Sequence, residues 1–341
     1  MTKEIKSSTE LQGSVKKNKR HEKLKKRGDY LIKSALLLRK LIIKDKVSVT
    51  ENFEEVVEAQ HLLYREYRRK KLCEINSKEQ YYNPYTFLQT TRMLVSKRKK
   101  QIIGTISIVG DGGIGMPADT LYPNELNSLR EQGMNLIEIG SLSVDSRLFK
   151  KKAHMFSSLP KISTTFTLFT GMINYVKNYT NATHLIIMIN PAHKSLYDYI
   201  GFKRFAENKL YPYVNKAAVP MIMNIDEFLS SNKTNMSAKF ALKNWQVLVP
   251  KRSHKFTARD ILVSIEDNID FINKLTPMQF SALINEYPTL KSLLRELNVD
   301  VKLLKTVAPI RKCRTRPHSS IFSKNFMDAL DIRYTNYKKN Y

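Results

Sequence analysis

Between Glu51 and Arg69, the positions Phe53, Val56, Val57, Gln60, Leu63, Tyr64 and Tyr67 recur every three or four residues, which predicts an amphipathic helix. Just before it, Val47–Val49 predicts a short strand. Met93–Ser96 and Ile102–Val109 are apolar runs split by Lys97–Lys100, a pattern that suits a hairpin. Leu136–Val144 predicts a further strand, and Thr164–Tyr179 a helix with Phe166, Phe169, Ile173 and Val176 in register. His184–Ile189 and Val219–Ile225 are β-rich runs. Helix and strand patterns alternate through this block, so the expected fold class is α/β around a central mixed sheet.

The two ends differ from this block. Lys16–Arg27 reads as a solvated basic tail. In Tyr30–Ile43, Leu31, Ala35, Leu38 and Ile42 share one helical face flanked by basic residues. Such a helix either lies on an anionic membrane, docks a partner, or packs on its own domain. Toward the other end, Asp260–Leu275 carries Ile261, Ile265, Ile269 and Ile272 at helical spacing. Thr276-Pro277 reads as a helix start, and Pro288 divides two further helices. The basic run Arg311–Arg316 precedes Tyr334, Tyr337 and Tyr341. The expected organisation is a basic tail and amphipathic helix over 1–45, an α/β domain over 46–228, and a helical basic extension over 229–341.

Charge sharpens the picture. The 341 residues hold 58 Lys+Arg against 31 Asp+Glu, a formal net charge of +27, so an acidic partner is expected. With 42% hydrophobic residues, 11 Gly and 12 Pro, wholesale disorder and fibrous classes are excluded. Two cysteines, Cys73 and Cys313, make no disulfide framework, which points to a reducing compartment. No run of about 18 apolar residues predicts a spanning helix. A cytoplasmic protein is expected, peripheral at the inner membrane face if the N-terminal helix binds lipid. The seven histidines show no metal-ligand spacing, so no metal is expected.

Candidate chemistry concentrates in two segments. From Ile102 to Val144 a strand ends in a Gly-rich turn, a Pro-containing loop and a short helix (Asn124–Gln132) follow, and a second strand carries Glu138 among apolar neighbours. A carboxylate inside such a run either faces water, or faces inward with a raised pKa suited to a general base. From Ile186 to Phe202 a strand delivers Asn190-Pro191 into a helix. His193 and Tyr197, four apart, share a face there, and Gly201 ends the helix. Tyr197 is either a proton donor beside a sheet edge or a packed core ring. The Gly112–Gly115 turn reads as exposed rather than as a phosphate cradle.

Taken together these motifs resemble a known family. Gly104-Thr105, Gly115-Met116-Pro117-Ala118-Asp119, Leu129-Arg130 with Gly133, Glu138-Ile139-Gly140-Ser141-Leu142, and Pro191, His193, Tyr197 with Gly201-Phe202 are similar in order and spacing to N-acyl amino acid synthases of the FeeM type. These are relatives of acyl-homoserine lactone synthases on the GNAT acyltransferase fold. The resemblance covers roughly residues 46–228. It implies transfer of a long-chain acyl group from an acyl carrier protein thioester to an amino acid's α-amine. It implies Glu138 as base, Tyr197 as proton donor to the leaving thiolate, and oxyanion donors on the strand Ile139–Val144. Asp119, Arg130, Ser141, Leu142 and His193 are the implied substrate contacts, although Asp119 and Arg130 equally suit local pairing. Arg147, Lys150, Lys151 and Lys152 form a basic rim suited to an acidic carrier protein.

Two departures from related patterns matter. The run after Asp145, SRLFKKKAHMFSSLPK, lacks the glycines of a coenzyme A pyrophosphate loop, so acyl-phosphopantetheine on the carrier is the expected donor over acyl-CoA, with no bound cofactor. Ser141 stands where homoserine lactone synthases typically carry Arg, which disfavours the alternative of a lactone-type signal synthase. The other alternative, a basic nucleic-acid-binding protein on a GNAT-like scaffold, has no helix-turn-helix, RNP or zinc-finger pattern behind it.

Overall fold

The computed structural model describes residues 46–149, 159–211, 216–230, 256–266 and 275–296. The predicted N-terminal helix, Lys150–Lys152 and Arg311–Arg316 lie outside the described residues. In chain order the elements are β1 (Lys46–Val49), α1 (Phe53–Arg69), β2 (Thr91–Arg98), β3 (Gln101–Gly110), α2 (Pro123–Glu131), β4 (Leu136–Val144), α3 (Leu159–Tyr179) and β5 (His184–Ile189). They continue with α4 (Lys194–Ile200), β6 (Lys203–Arg204), β7 (Lys209–Tyr211), β8 (Lys216–Asn224), α5 (Ile225–Ser230), α6 (Ala258–Glu266), α7 (Pro277–Glu286) and α8 (Pro288–Glu296).

The strands form one sheet in the order β1-β2-β3-β4-β5-β8-β6, with β7 added beside β8. Among the described strands β4 and β5 alone run parallel; the other pairs are antiparallel. A parallel pair needs a crossover, and α3 supplies it. The β2–β3 hairpin turns on Lys99 and Lys100, both at positive φ (50° and 72°), a geometry that the sequence did not advertise with Asn-Gly.

Side chains alternate across the sheet. Leu94, Ile106, Ile108, Ile137, Ile139 and Val144 face one side, where Leu168, Phe169, Met172 and Ile173 of α3 cover them. Met93, Val95 and Ile102 face the other, against Val56, Ala59, Leu62 and Leu63 of α1. Asn52 caps α1 by accepting from the Glu55 amide, and Thr276 and Gln279 form a capping box at α7.

Helices α6 to α8 share a core with the sheet domain. Ile261, Phe280, Leu283, Tyr287, Leu290 and Leu294 pack with Tyr85, Phe87, Leu88 and Val109. The periodicity reading began α3 at Thr164, five residues late, and did not find β6 and β7, which are too short to carry a pattern. Among the described residues no helix is long and apolar enough to cross a membrane.

Contact between α3 and the sheet requires Gly104. A Cβ there would stand 2.8 Å from Leu168 Cδ1 and 3.1 Å from the Ser143 carbonyl oxygen. Gly104→Ala is expected to lower stability by about 1–3 kcal/mol in urea unfolding. Gly113→Ala, where nothing lies within 4 Å of the added carbon, is expected to change stability by less than about 0.5 kcal/mol.

Candidate active site

Glu138 lies at the centre of β4, between Val109 on β3 and Ile186 on β5. Its side chain points inward and is 5% exposed. Among the described residues one hydrogen bond holds it: the Ala118 amide donates to Oε2 at 2.7 Å. Burial raises the carboxyl pKa to about 8; the Ala118 N–H opposes that rise and the charge of Asp119 adds to it. The carboxyl is therefore poised between its two forms near neutral pH.

The donor amide belongs to the 3₁₀ turn Pro117–Thr120, which the chain builds with care. Asp119 Oδ2 accepts from the Met116 amide at 2.6 Å. Gly115 adopts φ +72°, and a Cβ there would come within 2.4 Å of Asp119 Oδ2, so both conformation and space call for glycine. Arg130 of α2 then clasps two carboxylates. Its Nε and Nη2 donate to Asp111 at 2.6 and 3.0 Å, and its Nη1 and Nη2 donate to Asp119 at 2.8 and 2.7 Å. Nη1 also reaches Asn127 Oδ1 at 2.8 Å. These contacts occupy all five guanidinium donors. Of the two roles the sequence allowed Asp119 and Arg130, the structure displays local pairing, and Arg130 retains no N–H for a substrate carboxylate.

Tyr122, fully buried, fastens this turn to the far strands. Its hydroxyl donates to the Glu207 carbonyl at 2.9 Å and accepts from the Lys209 amide at 3.0 Å.

Past Glu138 the strand changes character. Thr105 pairs with Ser143 and Ser107 with Gly140, so β4 holds two residues, Ser141 and Leu142, opposite the single Ile106. Ser141 takes φ +51° in this bulge. Gly140, Ser141 and Leu142 are the part of β4 that is not buried. The parallel pairing of β4 with β5 covers only Leu136–Ile139 against His184–Ile187, although both strands continue. The two strands thus part beside the bulge and leave a notch edged by β4 backbone. Leu142 and Tyr197, both partly buried, pack against the α3-side core.

Tyrosines ring this region. Tyr197 of α4 meets Phe202 edge-on at 5.6 Å, and burial raises its hydroxyl pKa to about 12. Tyr67 of α1 and Tyr81 stack edge-on at 4.8 Å. Burial, and then the nearby Tyr81, Tyr211, Cys73 and Tyr197, hold Tyr67 protonated. Burial holds Tyr211 of β7 protonated as well, with Glu138, Tyr81 and Tyr122 adding to it. Tyr67, Tyr81, Tyr197 and Tyr211 each keep some accessible surface, as side chains lining a recess do.

The remaining candidates lie further out. His193 is exposed at the start of α4, its pKa lowered by surrounding protein and then by the Lys70 ammonium. Arg147 donates to buried Asp145 at 2.7 Å, with about half of its side chain (52%) still exposed. The structure therefore places Ser141 and Leu142 in the β4 bulge just beyond Glu138, and Tyr197 on α4, where it packs against the α3-side core. It places Asp119 and Arg130 behind the Glu138 turn and leaves His193 and Arg147 at the surface. Sequence reasoning did not single out Ala118, Asp111, Tyr81 or Tyr211. Tyr67, on the α1 stripe, carried the one available signal. Among the described residues no three of His, Cys, Asp and Glu gather as a metal set.

Comparison with known proteins follows this geometry. Residues 58–224 match the family described as N-acyl amino acid synthase FeeM. The structure of FeeM, an N-acyl amino acid synthase from uncultured soil microbes, is 24% identical, with 58% of this chain and 97% of that one covered and a TM-score of 0.48. The acyl-homoserine lactone synthase LasI is 15% identical over 60% of this chain and 96% of its own, TM-score 0.39. The CoA-dependent acyl-homoserine lactone synthase BjaI, solved with MTA, is 10% identical over 64% and 98%, TM-score 0.42. No curated protein matches. The central mixed sheet flanked by helices is the α/β class that the sequence predicts.

The raised Glu138 pKa has a consequence for stability. An unfolded glutamate ionises near 4.5, the folded one near 8. Between those values the native state holds the extra proton, so wild-type stability falls as pH rises and levels off above about 8. Glu138→Gln removes this linkage. Urea unfolding is expected to show the variant gaining on wild type from pH 5 to pH 8.5, by an amount on the order of a few kcal/mol. A difference that stays constant with pH would contradict the burial of an ionisable group here.

Proposed function

From the premise that residues 58–224 are an acyltransferase domain of the N-acyl amino acid synthase FeeM family, we propose that the chain moves a long-chain acyl group from an acyl carrier protein thioester to the α-amine of an amino acid. The observation that carries this reading is the dry Glu138 carboxyl beside a bulged, partly exposed stretch of backbone.

The acceptor arrives as an ammonium and must lose a proton before its nitrogen can attack. Glu138, with a pKa of about 8, is a much stronger base than an ordinary carboxylate, so it lies closer to the acceptor's α-amine in basicity and takes the ammonium proton at reduced cost. The freed nitrogen attacks the thioester carbon and a C–N bond forms. Negative charge develops on the carbonyl oxygen, and the amides of Gly140–Leu142 at the notch donate to it. Collapse breaks the C–S bond; Tyr197, protonated at neutral pH, gives its proton to the pantetheine thiolate and regains one from the acylated nitrogen, which sheds its second proton as the amide forms. Ser141 and Leu142 flank the acyl carbon, while His193 stands at the rim. Asp119 and Arg130 act behind Glu138 by holding the turn that carries its donor amide.

An acidic carrier fits the charge at the mouth. Lys70 ends α1, and burial followed by the neighbouring Lys161 ammonium depresses its pKa, so a negative partner relieves that crowding. Arg147 exposes half of its side chain nearby, and Lys150–Lys152 follow in sequence.

Incubation of the purified chain with acyl-carrier protein and mixed amino acids is expected to yield an N-acyl amino acid by mass spectrometry. At pH 7 Glu138→Gln is expected to lower kcat at least about 10²-fold without weakening carrier binding. Tyr197→Phe is expected to lower kcat about 10-fold or more. Folded protein that forms no such product, or a Glu138→Gln variant with wild-type turnover, overturns the reading.

A further inference from the structure

Helices α6 to α8 lie beyond the family match, and nothing in the chemistry above uses them. Two observations connect them to Glu138. Val109 is the register partner of Glu138 on the adjacent antiparallel strand, so the two side chains share one face of the sheet. Val109 is 3% exposed and packs in the cluster that includes Ile261, Phe280, Leu283 and Leu294 of these helices. Ile114 packs, partly buried, against the same cluster. Four residues further along, the Ala118 amide donates to the Glu138 carboxyl. The stretch between them is short and closed: the Gly115 amide donates to the Gly112 carbonyl at 2.9 Å, and Asp119 is clasped by Arg130.

Polar contacts fix the helices at this place. The Tyr287 hydroxyl donates to the Phe87 carbonyl at 2.7 Å, and the Gln89 amide donates to Glu286 Oε2 at 2.8 Å. The titratable neighbours of Glu138 are Asp119 from the turn and Tyr211 from β7. On the helices, Glu286 and Tyr287 turn instead toward Gln89 and Phe87.

We infer that α6 to α8 form the outer wall of the Glu138 recess, and that Ile114, by packing on that wall, is the positioning residue that seats the Ala118 amide on the carboxyl. The inference rests on Glu138 as the base of the proposed reaction. It extends the catalytic unit past residue 228 to include 258–296.

Removing the Ile114 side chain frees the turn and admits water beside Glu138. Loss of the Ala118 bond alone would raise the carboxyl pKa, but burial is the larger influence, so the net movement is downward. The test uses the full chain with glutamate labelled at the carboxyl carbon, followed by ¹³C NMR across pH, the Glu138 resonance being the one missing from Glu138→Gln. Ile114→Ala is expected to move the Glu138 titration down by about one pH unit or more. The rising limb of its rate profile is expected to move to lower pH by the same amount, with kcat reduced, carrier KM unchanged and Ile114→Leu restored to wild type. A folded Ile114→Ala protein with an unmoved titration overturns the inference. If that variant does not fold, Tyr287→Phe replaces it: a downward shift supports the wall, and an unmoved titration overturns it. A titration that moves while Glu138→Gln retains wild-type turnover supports the wall and rejects Glu138 as base, which keeps the two readings distinguishable.

Discussion

A carboxyl group kept out of water by its surroundings and met by a single amide is the constraint around which the other features are arranged. Burying an ionisable group without a counter-charge is costly, and the protein meets part of that cost with one hydrogen bond from Ala118. Among the described residues no cation hydrogen-bonds Glu138; Arg130 is instead held by Asp111 and Asp119. That distribution keeps the carboxyl basic. An arginine paired directly with Glu138 would hold it ionised and weak as a base.

The same strand solves a second problem by ceasing to be regular. Up to Ile139, β4 is paired on both sides and its residues are buried. From Gly140 the strand bulges, loses its pairing with β5 and becomes partly exposed. A buried carboxyl and an irregular, partly exposed stretch of backbone thus lie within a few residues of one another on a rigid element, the arrangement on which the proposed reaction draws. The tyrosines from α1, α4 and β7 enclose this place without adding a fixed charge at neutral pH.

Much of the fold was legible because long, periodic segments dominate it. The α1 stripe, the β2–β3 hairpin, β4, β5 and the helix start at Thr276-Pro277 all follow from spacing and caps. The direction in which Glu138 points was not legible. A carboxylate in an apolar run reads the same whether it faces water or the interior, and the answer depends on Ala118, twenty residues away. Arg130 shows the same limit: its partners Asp111 and Asp119 come together only when the Gly115 turn closes. Nor does periodicity tell an appended helix from one that completes a core. Ile261 and Leu283 look alike in either setting, and their packing against Tyr85, Phe87, Leu88, Val109 and Ile114 reveals which surface they cover.

The central claim is that Glu138 removes the proton from the acceptor's amine, and the ratio of wild-type to Glu138→Gln turnover as a function of pH tests it most directly. Above the pKa of the acceptor ammonium the amine is already free and needs no base. The account predicts that the ratio is large at pH 7 and shrinks steadily as pH rises through that value. A ratio that stays the same at every pH would contradict it.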